Sequence, residues 1–457
     1  IHRIDKKWMV PVMSVKRELI KGTLILTAAG FAARLLGFFN RVYLANLISN
    51  AELGRYQLIF PIFMFCMAVS CAGIQVAVSK MVAAYHGAGK KKAIQQTIWM
   101  ACLISFTIAL ICSICIVILS EPISIGILKD NRCQRYLIIM ALALPFAAVH
   151  TCMGGYYYGV RKTGVLAASQ LVEQLTRVGV IYILSITIYR QELCNAAIAV
   201  WGLVVGEICA CIITWQCYKI SINRQKNVII DSEKIRKILR QLWQYGGLLT
   251  ANRVSVTLLQ STEMILMPVM LAKYYGDTES ALSVFGIVTG IVLPVILFPN
   301  TVTNAMASLL LPAVAEAEEV HDYRAVSGAI KKSLEYCLLL GLFSGLAFGV
   351  CGNQIGSLLF NDVEAGGYIQ AFAILCPLMY IQSLLAGALN GLGKMNETLL
   401  HHVIASGIRL FGVVALMPEM GIYGYIAGVF WANAAVTVIA AVRLYQIVGR
   451  ISTAKRD

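Results

Sequence analysis

The chain has 457 residues, of which 59% are hydrophobic and only 13% charged, and its formal net charge is +15. A mean hydropathy of +0.75 and about half the charge of an ordinary water-soluble domain make lipid the solvent for most of its surface. The basic excess lies in short connections between apolar runs and not on one amphipathic face, which excludes a nucleic-acid binder and points to a membrane surface.

A crossing helix needs about 20 apolar residues, and in lipid only helices or closed barrels satisfy the backbone. The runs here are too long for barrel strands, so the fold class is an all-α integral membrane protein. Spans are predicted near 20–48, 54–84, 94–119, 136–159, 165–189, 196–218, 241–273, 281–314, 331–352, 367–391, 398–417 and 422–447. The stretch after Lys21 is too long for a cleavable leader, and residues 1–12, ahead of Met13, read as an upstream extension. Every second connection is rich in Lys and Arg, from Lys16, Arg17 and Lys21 through Lys90, Lys91 and Lys92 to Arg443 and beyond. The alternate set holds Arg55, Lys129, Arg132, Arg135, Arg190 and Lys273. The positive-inside bias places both termini in the cytoplasm, as a multi-pass protein of the plasma membrane.

A shift of 232 residues lays Gly155, Gly159, Lys162 and Arg177 over Gly387, Gly391, Lys394 and Arg409, and Gly54 over Gly286. The first span then falls on the seventh and the fifth on the eleventh. Two six-helix halves, 13–225 and 241–457, are expected, joined by a cytoplasmic basic linker at 226–240. Six is even, so the halves repeat in parallel about an axis along the membrane normal, with a cavity between them.

Charges inside spans cost on the order of 3 kcal/mol each. Arg34, Arg41, Arg177, Arg253 and Arg409, with Glu173, Glu207 and Glu263, lie in predicted spans. They must face a wet cavity or each other. In the first span Thr23, Thr27, Gly30, Arg34, Gly37 and Arg41 recur at steps of three or four, one small-and-polar stripe carrying two guanidinium groups. A planar guanidinium that keeps its charge suits phosphate, so a pyrophosphate is the natural guest. The alternative is an ion pair for Arg34 and an interfacial position for Arg41.

Glu173 and Arg177 are spaced i, i+4 and read as an intrahelical pair, with Glu173 also open to an ion-coupling role. Glu207, beside Gly206, could hold a proton or sodium ion, or serve as partner to an Arg. In the seventh span Arg253, Thr257, Gln260 and Glu263 share a face. Arg253 and Glu263 stand about 15 Å apart along the axis, too far for a local pair. In the eighth, Pro294 and Pro299 precede Asn300 and Asn304, and proline frees carbonyls that a neighbour or a cavity must satisfy, which marks a hinge or a packing kink. In the eleventh, His402, Ser406 and Arg409 share a face with no acid in register, leaving Arg409 less compensated than Arg177.

Fourteen Cys are spread through the apolar runs, and Cys112 with Cys115 forms a C-x-x-C inside a span with no other ligand type nearby, so packing is expected. No P-loop, zinc-protease or nucleophile-elbow motif occurs, and no paired-carboxylate site of a glycosyltransferase. No cofactor, metal or enzymatic activity is expected.

The run ARLLGFFNR (Ala33–Arg41), with Leu44-Ala45-Asn46, Leu53-Gly54-Arg55-Tyr56 and the earlier Lys21 to Leu26, resembles the stage V sporulation protein B family. GGYYYGVRK (Gly154–Lys162), SQLVEQLTRV (Ser169–Val178) and LLLPAVAEAEE (Leu309–Glu319) extend the resemblance over nearly the whole chain. The resemblance implies the multidrug/oligosaccharidyl-lipid/polysaccharide (MOP) exporter superfamily, a V-shaped pair of bundles, and the flipping of an undecaprenyl-pyrophosphate-linked sugar or peptidoglycan precursor for the spore cortex or cell envelope. A lipid II flippase of that superfamily has an Arg matching Arg34 and another one residue before Arg41; its further Arg in the second helix have no counterpart near Ile74 and Gln75.

The expectation is therefore a flippase working by alternating access. Arg34, Arg41, Arg253, Arg409, Gln260, Asn300 and Asn304 would line the cavity, and Glu207, Glu263 and Glu173 are candidates for coupling to sodium or a proton. Its partners would be a lipid-linked anionic precursor and membrane lipids. A cation-coupled multidrug antiporter of the same fold and a non-transporting envelope scaffold are the alternatives.

Overall fold

The structure, a computed structural model, describes residues 12–189, 195–222, 232–319 and 323–453. Residues 1–11, most of the expected upstream extension, lie outside the described residues. Twelve helical segments follow in order. The first half holds α1 (Val12–Ala45), α2 (Asn50–Gly87), α3 (Lys91–Ile118), α4 (Cys133–Ala141 and Leu144–Gly159), α5 (Thr163–Tyr189) and α6 (Ala197–Ile222). The second holds α7 (Ser232–Tyr275), α8 (Thr278–Leu297 and Asn300–Glu319), α9 (Tyr323–Phe360), α10 (Val363–Gly391), α11 (Met395–Met420) and α12 (Ile422–Thr453). Among the described residues nine helices are long and apolar enough to cross a membrane, ten with the α4 pair, whose halves meet at 46°. Helices α1 and α5, which carry Arg34, Arg41, Glu173 and Arg177, complete the set. The linker expected at 226–240 is helical from Ser232 onward, because α7 runs 44 residues without a break; residues 223–231 lie outside the described residues.

The turns α1–α2, α7–α8 and α9–α10 gather at the end of the bundle opposite the chain termini, here called the distal end. Each closes on a cap: the Ser49 hydroxyl accepts from the Glu52 N–H at 3.3 Å, Asp277 from Ser280 at 2.7 Å and Asp362 from Ala365 at 2.9 Å, satisfying helix-start donors. The Ser280 amide holds the Asp277 carboxyl below the usual carboxylate range. One apolar cluster at this end draws from both halves, from Leu58 and Ile59 of α2 through Phe285 and Ile291 of α8 to Tyr380 of α10. Toward the termini the packing divides. One cluster, around Val78, Ile98 and Tyr157, belongs to the first lobe with Ile238 and Leu242 of α7 leaning on it; another, around Leu310, Leu384 and Leu444, belongs to the second lobe alone. The result is two bundles that share one core at the distal end and have separate cores toward the termini, where α7 still lies against the first lobe.

Packing between lipid-spanning helices depends on small residues that let backbones meet. At the fused end Gly54 of α2 and Gly286 of α8, repeat mates in the sequence, lie against each other: a Cβ on Gly54 would overlap the Leu282 carbonyl, and one on Gly286 would overlap the Asn50 carbonyl. Mates touching is what a two-fold axis through this contact requires. Along the other seam α2 follows α7, with Gly73 on Gly246, the Ser261 hydroxyl donating to the Pro61 carbonyl at 3.0 Å and Tyr85 donating to Gln241 at 2.9 Å. On the opposite seam α1 meets α8 through Phe31 and Phe38 around Phe298, with ring centroids 6.3 and 5.2 Å apart. The four helices facing across the lobes are thus α1, α2, α7 and α8.

The proline kink in α8 is present. The helix breaks at Phe298 and Pro299, after a π-helical stretch at Ile287–Val292. The Ile296 carbonyl at the break accepts the Tyr380 hydroxyl at 2.7 Å, so a neighbouring helix and not water satisfies it.

Replacing Gly54 with Val is expected to push α2 off α8 and lower stability by about 1–3 kcal/mol, the usual cost of overpacking. Gly349→Val, where a Cβ meets nothing within 4 Å, should leave the midpoint of unfolding in detergent within a degree or two of the parent. Equal midpoints for the two variants would refute the contact.

Candidate functional site

The expected i, i+4 pair is present on α5: Arg177 donates to Glu173 at 2.8 Å. A third and fourth member join it from other helices. Glu207 of α6 lies 4.0 Å from Arg177, and His150 of α4 lies 3.5 Å from Glu207. One ligand atom each from His150, Glu173 and Glu207 falls within a 4.8 Å circle. Three helices thus aim two acids, an imidazole and a guanidinium at one half-buried point in the first lobe. Gly206 permits it: a Cβ there would press on the Glu173 carbonyl at 3.1 Å, so α5 and α6 meet backbone to backbone beside Glu207.

In the second lobe Glu263 finds its partner across helices. Arg409 of α11 places Nε at 3.0 and 2.9 Å from the two Glu263 oxygens and donates to Ser406 at 3.2 Å, and the Tyr425 hydroxyl of α12 lies 3.4 Å from Glu263. Arg409, expected to be less compensated than Arg177, is paired with Glu263. The acid comes from α7, one neighbour away, where no single-helix register reveals it. Glu263, offered as a coupling site, is 5% exposed and engaged by this pair.

Beside the pair opens a cavity of about 280 Å³, lined by Gln260 of α7, Asn300 of α8, Gln382 and Ser383 of α10, His402 and Arg409 of α11 and Asn433 of α12. Asn300 accepts hydrogen bonds from Thr303 and from Ser383, the latter at 3.3 Å. Asn304, one turn on, is exposed and does not line the cavity.

Three arginines remain. Arg34, Arg41 and Arg253 are exposed and make no ion pair or hydrogen bond among the described residues. Arg34 lies on the α1 face that carries Phe31 and Phe38, the face turned to α8. Arg41 is in electrostatic range of Tyr56 and of Arg177, so it borders the four-residue cluster. Arg253 sits within electrostatic range of His402, as does Arg409. The unpaired guanidinium groups accordingly belong to both lobes, on two of the four helices that face across. The side chains of Thr23 and Thr27 lie outside the described residues.

At the distal end a charge counted with the loops is buried. Arg55 is 2% exposed, donates to Asp130 at 2.6 Å and to Glu52 at 2.7 Å, and binds Glu279 of the other lobe with two nitrogens. Glu52 also accepts the Tyr136 hydroxyl at 2.6 Å and the Ala196 N–H at 2.9 Å. Nearby Asn46 donates to the Leu359 carbonyl and accepts from Asn361, both at 2.8 Å, and Asn50 donates to Asp362 at 2.7 Å. Sequence reading missed this cage because its acids come from the α2 start, the α3–α4 connection and the α8 start. The run Glu52–Arg55 was the available signal. His150, a lone imidazole in an apolar span, was likewise a legible mark passed over, whereas Gln382 and Asn433 have no pattern to distinguish them.

Thirteen cysteines among the described residues are free. Cys112 lies half-buried 3.9 Å from the Ser70 hydroxyl, a packing position.

Removing Glu263 strands Arg409 beside a largely apolar wall. Glu263→Ala should cost about 3 kcal/mol of stability, the scale for breaking a buried pair. The double variant Glu263→Ala/Arg409→Ala should recover part of that loss in a thermal-unfolding cycle; strictly additive losses would mean that the two side chains do not interact.

With this geometry in view the chain can be set beside known proteins. Residues 19–318 match the family model described as polysaccharide biosynthesis protein. Stage V sporulation protein B of Bacillus subtilis (strain 168) is 25% identical over 437 residues, covering 94% of this chain and 84% of that one. Lipid II flippase MurJ of the same organism is 21% identical over 435 residues, covering 88% and 78%. Among solved structures, the inward-facing conformation of a multidrug resistance MATE family transporter of the MOP superfamily superposes with a TM-score of 0.69 at 16% identity, covering 92% of this chain and 96% of that one. A MOP superfamily transporter from Pyrococcus furiosus, described as having a binding pocket of reversed polarity, gives 0.66 at 14% identity over 96% of both. A match over well more than half of the residues, on two six-helix lobes meeting at one end, makes the chain a member of the polysaccharide biosynthesis protein family, built on the MOP transporter fold.

Proposed function

We propose that the protein is a flippase that carries a lipid-linked anionic oligosaccharide or peptidoglycan precursor across the bilayer by alternating access. One observation carries this reading: three guanidinium groups, Arg34, Arg41 and Arg253, stand without an ion pair or hydrogen bond among the described residues, on helices that face each other across the lobes. Facing lipid they would cost on the order of 9 kcal/mol together. Facing a wet cleft they form a cradle for a pyrophosphate, which accepts paired hydrogen bonds from the guanidinium fork. The prenyl tail stays in lipid and the headgroup enters between the lobes. The relatives named above as a lipid II flippase and a sporulation protein support the substrate class and an envelope role.

Rocking of one lobe against the other requires the distal contacts to break. Beside the apolar packing there, those contacts include polar pairs that cross between lobes, Arg55 to Glu279, Asn46 to Asn361 and Asn50 to Asp362, whose groups can exchange one another for water when they part. The coupling ion, sodium or a proton, is assigned to the first lobe, where His150, Glu173 and Glu207 share a point. The Arg409 pair leaves Glu263 the weaker candidate. The basic connections favour cytoplasmic termini in the plasma membrane.

Reconstituted into liposomes with a fluorescent undecaprenyl-pyrophosphate lipid, the parent should move the probe to the far leaflet. Arg34→Ala should reduce that to the rate of empty liposomes while its unfolding midpoint stays unchanged. Transport at the parental rate by this variant would remove the cradle. In a background stripped of native cysteines, Asn46→Cys/Asn361→Cys should be cross-linked by oxidation across the distal contact, stop transport, and regain it on reduction. A cross-linked protein that still transports would exclude alternating access through distal opening.

A further inference from the structure

The cavity in the second lobe has a largely apolar wall, set with neutral hydrogen-bonding groups: the amides of Gln260, Gln382 and Asn433, the hydroxyl of Ser383 and the imidazole of His402. No carboxylate lines it, so a cation would find no countercharge in the wall and would face the Arg409 guanidinium. Arg409, its one guanidinium, has its charge countered by both oxygens of Glu263 at Nε and gives Nη2 to Ser406, which leaves it a weaker anion site than an unpaired arginine. What the wall has in excess is unused amide. Asn433 is 3% exposed and its amide nitrogen has no hydrogen-bond partner; among the described residues the side chains of Gln260 and Gln382 also make no hydrogen bond within the chain. An unpaired buried donor costs about 1–3 kcal/mol, a cost that a ligand bringing acceptors would relieve.

A primary amide offers a carbonyl acceptor and two donors side by side. Hydroxyl groups on adjacent ring carbons, each able to donate and accept, are their natural complement. The volume, about 280 Å³, is at the small end of ligand sites, which run from roughly 300 to 1,000 Å³: room for a ring-sized group and far too little for a whole lipid-linked chain. Gln260 lies on the same face of α7 as Arg253, about 10 Å along the axis, and His402 is within electrostatic range of both Arg253 and Arg409. The cavity therefore opens one short linkage away from an unpaired guanidinium.

We propose that this cavity is a sugar-recognition subsite, which takes the uncharged polyhydroxylated ring of the headgroup through Gln260, Gln382 and Asn433 while Arg253 and the α1 arginines hold the pyrophosphate. The assignment rests on the flippase reading for the identity of the substrate, though the cavity can be probed without transport. A site built to hydrogen-bond a substrate rejects one that lacks the partner groups, because its own polar atoms are then left bare. Headgroup selectivity would come from these amides and not from the arginines.

The test uses the full chain in nanodiscs and in liposomes. In nanodiscs, saturation-transfer NMR with the methyl glycoside of N-acetylglucosamine should show transfer to the sugar in the parent and in Arg34→Ala, and none in Asn433→Leu or Gln382→Leu. In liposomes, the two leucine variants should move an undecaprenyl pyrophosphate bearing one N-acetylglucosamine at least tenfold more slowly than the parent, and the bare undecaprenyl pyrophosphate at the parental rate. Arg34→Ala should lose both lipids. Two variants guard against misfolding, since a lowered unfolding midpoint in one leaves the other as the reading. Absence of transfer in the parent, or equal losses on the two lipids in both leucine variants, or no loss on either, overturns the subsite. If the parent moves neither lipid but transfer appears and is lost in both leucine variants, the subsite stands and the flippase reading fails.

Discussion

A guanidinium group cannot be stripped of water and left alone, and this constraint sorts six arginines of the helices into one of two conditions. Arg55, Arg177 and Arg409 are paired with carboxylates delivered from other turns or other helices. Arg34, Arg41 and Arg253 are not, and they remain exposed. The first group holds the helices in register within and between lobes; the second has no ion-pair or hydrogen-bond partner among the described residues and stands on the helices that face across. The division between paired and unpaired arginines reflects the same desolvation energy that makes intramembrane charge rare.

Pseudo-symmetry gives that division a further feature. Arg177 and Arg409 are repeat mates, and each is neutralised, yet the acids that do so are unrelated by the repeat. Glu173 serves Arg177 from one turn away on the same helix, whereas Glu263 serves Arg409 from α7. The arginine position is kept and the solution differs, which frees the two lobes for different work. In the first, a second acid and His150 gather around the pair. In the second, the pair closes one wall of a cavity that the amides of Gln260, Gln382 and Asn433 also border.

Mechanical division follows the glycines. The fused end relies on Gly54 against Gly286 and on the Arg55 cage that crosses between lobes, and the long seam of α2 with α7 is tightened by Gly73 on Gly246. Aromatic contact around Phe298 replaces such backbone contact on the α1–α8 seam. One seam is therefore close-packed along its length and the other is bridged by side chains beside the break at Pro299, an asymmetry that allows the lobes to part more readily on the side where Arg34 lies.

Run length, apolar composition and the 232-residue repeat were sufficient for the number of helices, their pairing into halves and the position of the α8 kink, because these depend on local hydropathy and on proline chemistry, which a sequence displays directly. The Glu173–Arg177 pair was legible for the same reason: its spacing is one helical turn. Tertiary structure alone decided which charges neutralise which. The Glu263–Arg409 pair, the gathering of Glu52, Asp130 and Glu279 around Arg55, and the convergence of Gln260, Gln382 and Asn433 on one cavity each join residues from separate helices. Helix packing sets such distances through the rotation of each helix about its axis, and no one-dimensional periodicity records the relative rotation of two.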